Sequence, residues 1–187
     1  MIPLIMSPNA SGEGRSGFDR RLKDGFWSKF VRDGVVLDIG YGVGSEPIFT
    51  EAIGLEEGTP NYNGRNIPYD NDSVATIHTS HLLEHIYDYR AFLLECFRAL
   101  KPGGTLILIV PLRDAYENKM TLPSYFNPDH KRFYTSSSLL NEIESTLNRK
   151  IYKVVHLAEW FNVSDIGRPF GIHGTHPYEI ECVLEKL

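Results

Sequence analysis

Val35-Val36-Leu37-Asp38-Ile39-Gly40-Tyr41-Gly42-Val43-Gly44 is the stretch on which the fold turns. Val35–Ile39 has the length and branching of a strand buried on both faces of a parallel sheet. Glycines at alternate positions follow, and they let the backbone turn tightly and approach a ligand closely. A dinucleotide fingerprint would need its third glycine at position 45, where the chain has Ser45.

Outward from this stretch the chain alternates strands and helices. Residues 1–17 read as a flexible N-terminal arm, with Ser, Pro, Asn and Gly crowded into 7–16, and residues 18–187 read as one domain. Phe18, Leu22, Phe26 and Phe30 recur at helical spacing, predicting a helix over 18–31. Only Ser45–Glu51 separates the glycines from the next strand, Ala52–Glu56. A crossover between parallel strands usually takes about ten residues or more, mostly helix, so the helix after the glycine loop is expected to be one turn or absent. Val74–Thr79 is the next strand. Tyr89–Leu100 is an amphipathic helix, capped by Asp88 and stopped by Lys101-Pro102-Gly103-Gly104. Thr105–Val110 is an apolar strand, Pro111–Thr135 an irregular segment, and Ser137–Leu147 a helix capped by Thr135 or Ser136. Lys150–Leu157 and Tyr178–Glu185 are the last strands. In the latter Tyr178, Ile180, Cys182 and Leu184 alternate with Glu179, Glu181 and Glu185, as in an antiparallel strand near an edge with one buried and one wet face. The expected fold is α/β: a Rossmann-like, doubly wound sheet, mostly parallel, with an antiparallel C-terminal hairpin strand. Ligands of such sheets bind beyond the carboxyl ends of the strands. That rim would collect the glycine loop, Glu56, Ser80–His85 and Pro111–Tyr134.

Composition narrows the function. The formal net charge of the 187 residues is −5, and the densest basic cluster, Arg15, Arg20, Arg21 and Lys23, is diluted by Asp19 and Asp24. No basic stripe is present to grip nucleic acid. No apolar run reaches the roughly eighteen residues of a membrane span. Met1–Met6 is too short, and lacks the basic start, for a signal peptide. Cys96 and Cys182 sit among apolar neighbours, as buried thiols do in a reducing compartment. The expectation is a soluble, cytoplasmic protein.

Asp38 followed by Gly40-x-Gly42-x-Gly44 resembles motif I of class I S-adenosylmethionine-dependent methyltransferases. Further segments extend the likeness. Asn63-Gly-Arg-Asn-Ile67-Pro-Tyr resembles the family segment that contacts adenine, with Asn63 at the place of the usual acid and Ile67 at that of a leucine. Ser80-His81-Leu-Leu-Glu84-His85 resembles the loop beside the methionine end of the cofactor, and Phe97-Arg-Ala-Leu-Lys-Pro-Gly-Gly104 a structural turn. The resemblance is close over 33–111 and looser beyond, where it points to small methyltransferase-domain proteins of surface-polysaccharide synthesis. It implies S-adenosyl-L-methionine as cofactor, held by Asp38, Gly40, Tyr41, Gly42, Gly44, Glu56, Asn63, Ile67, Ser80 and His81. Glu56 lies eighteen residues beyond Asp38, where an acid can bind both ribose hydroxyls. The partner expected is a small-molecule or sugar hydroxyl, with an amine acceptor or a non-catalytic binding or scaffold module as alternatives. The short crossover, and Tyr41 where the family usually has cysteine or a small residue, favour the last.

Two groups of histidines compete for chemistry. His81-x-x-Glu84-His85 matches the inverted zinc-protease signature, but that site needs both histidines on a long helix and a third ligand. Here the motif follows a strand, so no metal is expected. His130, in the segment that would wall the acceptor, is the candidate general base, since a neutral imidazole can take a hydroxyl proton near pH 7. His85 and Tyr134 complete the candidate catalytic set. His173 and His176 belong to a glycine-rich loop, 167–177, that reads as a lid.

Overall fold

The computed structural model describes residues 4–10, 14–15, 17–116, 127–161 and 178–187; the expected lid loop lies outside them. Two short helices, α1 (Phe18–Lys23) and α2 (Phe26–Phe30), precede β1 (Val36–Ile39) and β2 (Ile53–Leu55). Then come β3 (Val74–Ser80), α3 (Tyr89–Ala99), β4 (Leu100–Pro111), the single turn α4 (Arg113–Tyr116), α5 (Ser136–Thr146), β5 (Tyr152–Trp160) and β6 (Glu179–Lys186). They form one six-stranded sheet in the order β2-β1-β3-β4-β6-β5. The ladders joining β2, β1, β3 and β4 are parallel, and β6 runs antiparallel to both β4 and β5. The doubly wound sheet and its antiparallel C-terminal hairpin are as expected.

Local rules account for most element ends. The Asp88 side chain accepts from the Ala91 amide at the start of α3, and Thr135 forms a capping box with Ser138 at the start of α5. The expected helix over 18–31 is two helices because Gly25 adopts a left-handed conformation, φ +72°, between them. Lys101–Gly104 does not separate α3 from the strand that follows. β4 begins at Leu100, and its ladder steps from Leu100 to Thr105 while β3 steps only from Val74 to Thr76, so these residues bulge within the strand. No helix follows the glycine loop. Residues 40–52 are irregular, as the short crossover requires.

Period-two alternation assigns the core. Leu37, Ile39, Ile77, Leu106, Leu108, Ile180, Cys182 and Leu184 pack with Leu93, Phe97, Leu139 and Ile143 of α3 and α5. Val36, Ile107, Ile109 and Val183 face the other way, onto Phe18, Phe26, Trp27, Phe30, Ile48 and Phe49.

β6 corrects the expectation of a wet face. It lies near the edge as expected, between β4 and the edge strand β5, but its acidic face is not in water. Glu179 and Glu181 are each 1% exposed. The arginines of α1 neutralise them: Arg21 Nε donates to Glu181 Oε1 at 2.6 Å, Arg21 Nη2 donates to Glu179, and Arg20 Nη2 donates to Glu181. The alternation was real, but its acidic face is covered by a basic helix rather than by water.

Residues 4–10, expected within a flexible arm, are stitched to the crossover. Met6 bridges Phe49, the Ser7 amide donates to Ile48 O, and the Thr50 amide donates to Ile5 O.

Candidate functional site

β1 has β2 on one side and β3 on the other, so the crossovers leave it in opposite directions, and the crevice beyond its carboxyl end is the switch point of the sheet. A cleft of about 210 Å³ lies there, lined by Asp38, Gly40, Tyr41, Gly42, Ile48, His78, Ser80 and His81, with Ala10, Gly14 and Glu46.

The glycine loop is built by conformation. Gly40, Gly42 and Gly44 have φ of +74°, +98° and +81°. At Gly40 a Cβ would stand 2.7 Å from the Leu82 side chain, which would have to shift, and the positive φ disfavours a side chain in any case. The Gly42 amide donates to Glu56 Oε2 at 2.9 Å. The carboxylate at the end of β2 therefore braces the glycine loop, and its Oε1 makes no hydrogen bond among the described residues. Tyr41 lies across Gly54 of β2, where an added Cβ would meet its ring at 2.5 Å. Part of the Tyr41 ring thus packs on the sheet edge while the residue still lines the cleft.

Asp38, 3% exposed, uses both oxygens. Oδ2 accepts from the Ile48 amide at 2.6 Å, and Oδ1 pairs with His78 Nδ1 at 2.7 Å. The acid that precedes the glycines fastens the irregular crossover to the sheet. His78 carries a signal that the sequence reading missed: it lies two residues before Ser80, on the same face of β3. Ala10 and Gly14 reach the cleft by the docking of their segment, which no local pattern announces. The Ser80 hydroxyl is buried and has no hydrogen-bond partner among the described residues.

Asn63 and Ile67 are not brought to the cleft. Asn63 Oδ1 accepts from the amides of Arg65 and Asn66, closing its own turn, and Ile67 is 3% exposed in the core with its amide donated to Glu95.

His81 joins the cleft to a second group. Its φ is +51°, and Nδ1 lies 3.7 Å from Glu84 Oε1. The same oxygen has His85 Nε2 at 3.8 Å and His130 Nε2 at 4.0 Å. Glu84 is fully buried, the His130 side chain is nearly so, and the His85 side chain is exposed. His130 Nε2 is 3.1 Å from the Asn127 amide nitrogen, and its ring stacks on Tyr116. Burial, then the neighbouring His130, lowers the His85 pKa, which keeps the ring neutral near pH 7.

Tyr134 departs from the expected catalytic set. It is 1% exposed, and its hydroxyl donates to Glu142 Oε2 at 2.8 Å. Burial, reinforced by Glu142, raises its pKa well above the ordinary value. A phenol held this way orders the framework and has no proton to exchange near neutrality.

Residues 15–146 match a family described as "Methyltransferase domain". The chain belongs to this methyltransferase-domain family. A protein of Mycolicibacterium smegmatis, named as an S-adenosylmethionine-dependent methyltransferase, is 30% identical over 83 residues; these cover 44% of this chain but only 32% of that relative. Among solved structures, a SAM dependent methyltransferase from Archaeoglobus fulgidus superposes with TM-score 0.56 at 15% identity, covering 92% of this chain and 94% of the other. A chain from the Haloferax volcanii complex between the Trm112 methyltransferase activator and a methyltransferase gives TM-score 0.54 at 17% identity, covering 92% and 94%. The methyl donor of the family is S-adenosylmethionine. The cleft of this methyltransferase domain fits it: left-handed Gly40 and Gly42 and a buried serine hydroxyl with no hydrogen-bond partner among the described residues border the crevice, and the carboxylate at the end of β2 is tied to its wall through the Gly42 amide, with one oxygen to spare. No helix of the described residues is long and apolar enough to cross a membrane.

Proposed function

We propose that this chain transfers a methyl group from S-adenosylmethionine to a hydroxyl of a small molecule or sugar, in keeping with the surface-polysaccharide resemblance of its C-terminal half. One observation carries the reading: His81 lines the cofactor cleft and also faces the Glu84, His85 and His130 group, so cleft and candidate base adjoin through a single side chain. The bound cofactor supplies an electrophilic sulfonium methyl. In this proposal Glu56 Oε1 accepts from the ribose, the loop backbone at Gly40 and Gly42 lies against the adenosyl chain, and Ser80 donates to its polar end. The Glu84, His85 and His130 group activates the acceptor oxygen. Alignment and exclusion of water supply most of the acceleration.

Calorimetry tests the cofactor half. S-adenosylhomocysteine should bind with a Kd on the order of 1 μM, about −8 kcal/mol. NAD should not bind. Gly42→Val should abolish binding, because it puts a branched side chain at φ +98° on the cleft wall. Unchanged affinity in this variant, or tight NAD binding, overturns the assignment. The acceptor half is tested by turnover. His130→Ala should lower kcat about 100- to 10,000-fold while S-adenosylhomocysteine affinity is kept.

A second reading, a non-catalytic binding module, is favoured by the irregular crossover and by the full use of Asp38 within the framework. It becomes the better one if the wild-type chain binds S-adenosylhomocysteine and methylates no nucleotide sugar, glycan fragment or amine.

A further inference from the structure

We propose that Glu84, His85 and His130 form a divalent-metal site of the two-histidine, one-carboxylate type, open on the His85 side and set beside the methyl-transfer cleft. The class of ion is a divalent first-row transition metal such as Zn²⁺ or Mn²⁺.

The donor set comes first. Two imidazole nitrogens and a carboxylate oxygen lie within 4.8 Å of one another. Glu84 Oε1 is 3.8 Å from His85 Nε2 and 4.0 Å from His130 Nε2. Bonds of about 2.0–2.2 Å at tetrahedral angles put neighbouring ligand atoms roughly 3.4 Å apart. An ion would therefore draw each histidine nitrogen about half an ångström toward Glu84 Oε1, and the two imidazole nitrogens, which lie within 4.8 Å of each other, together by up to about 1.4 Å. Imidazole and carboxylate together suit such metals and form the catalytic type of site when a position stays open. The exposed His85 marks that open side.

The scaffold holds the three donors without a long helix. Residues 81–88 form a turn in which the His85 amide donates to Leu82 O at 2.9 Å. His130 arrives from a second turn, with its amide on Asn127 O at 3.1 Å, and the Lys131 amide donates to Glu84 O at 2.7 Å. Arg132 closes the pair of turns by donating to the carbonyls of Leu83, Ile86 and Tyr87. The sequence expectation of no metal rested on the missing helix and the missing third ligand. Two turns replace the helix, and His130, 45 positions after His85, is the third ligand.

Charge points the same way. Glu84 is fully buried, and three imidazoles surround its Oε1. A buried carboxylate is stabilised by an opposite charge, and a divalent ion supplies one. The chemistry rests on the methyl-transfer reading. An ion here would bind the acceptor oxygen and lower its pKa, in place of a single histidine base. The acceptor O–H proton passes to water, the oxygen–methyl bond forms as the methyl–sulfur bond breaks, and the sulfur keeps the electron pair.

The test uses the full chain, stripped with chelator and titrated with Zn²⁺ or Mn²⁺ alone by calorimetry, and with Co²⁺ for its visible absorption. One ion per chain is expected. His85→Ala alters an exposed side chain, and Glu84→Gln keeps the side-chain shape; each should weaken binding at least roughly tenfold. Both variants should still bind S-adenosylhomocysteine, which reports an intact fold. Wild-type chain that takes up no stoichiometric ion, or variants that bind it as wild type does, overturns the site. Ion binding without S-adenosylhomocysteine binding would instead sink the methyl-transfer reading and leave the site standing, so the two failures are distinguishable.

Discussion

The Tyr134 hydroxyl donates to Glu142 Oε2, and Arg132 Nε lies 3.1 Å from Glu142 Oε1. One carboxylate thus ties α5 to both Arg132 and Tyr134. Tyr134→Phe removes a single charged hydrogen bond and should cost about 1–2 kcal/mol in urea unfolding, with Glu142 still held by Arg132. Methyl-transfer turnover should stay within about twofold of wild type; a larger loss, with stability unchanged, would return the phenol to the catalytic set. That Gly40, Gly42, Asp38, Ser80 and His81 share one cleft was legible because strand ends and glycine spacing are local signals; Glu56 meets that cleft only through the Gly42 amide. The resemblance placed Tyr134, Asn63 and Ile67 in the site, but Asn63 is spent on its own turn, Tyr134 on Glu142 of α5, and Ile67 on a contact with Glu95 that only tertiary packing reveals. Glu84 was visible inside a motif whose third member, His130, arrives through tertiary structure.

α1 and β6 are coupled by charge as well as by packing. Arg20, Arg21 and His156 face Glu181, and Glu179 stands beside it. Burial alone would raise the Glu181 pKa, but the His156 hydrogen bond and the two arginines outweigh it and bring it down to about 2. A carboxyl whose folded pKa is depressed contributes its full stability above its unfolded value, about 4.3. That contribution is lost as pH falls from there to about 2. Acid titration of stability should therefore show a steep decline in that window, and Glu181→Gln should flatten it. Arg21→Met would leave two buried carboxylates short of a cation and should destabilise the fold by about 3–5 kcal/mol. A loss under 1 kcal/mol would mean that Arg20 suffices. The strand itself was readable from its alternation. What covers its acidic face was not, because a glutamate facing water and one facing an arginine look alike in sequence.

In the whole molecule, residues 4–10 are docked on the crossover beside the cleft. Asn9 contacts Glu46 twice, at 3.0 and 3.2 Å, and both Ala10 and Glu46 line the cleft. Deleting residues 1–10 should lower Tm and weaken S-adenosylhomocysteine binding about five- to thirtyfold, the equivalent of roughly 1–2 kcal/mol. Unchanged affinity would make the segment a bystander. The alternation of strands and helices made the topology legible from sequence, whereas the docking of this polar, proline-containing segment depends on tertiary contacts with the crossover. The bond from the Ile48 amide to Asp38 has a further consequence, one of rates. β2 is a three-residue edge strand, and the crossover that leads to it is irregular. Segments of this kind open locally at less free energy than the body of a sheet. In native-state hydrogen exchange the Ile48 amide, covered by a buried carboxylate, should be the slowest in the crossover. It should exchange together with Leu55, whose carbonyl accepts from Gly40, as one cooperative unit faster than β3 and β4. A ligand that spans Glu56 and the glycine loop would fasten that unit to the sheet, so its residence time would be set by how often this corner of the fold comes loose.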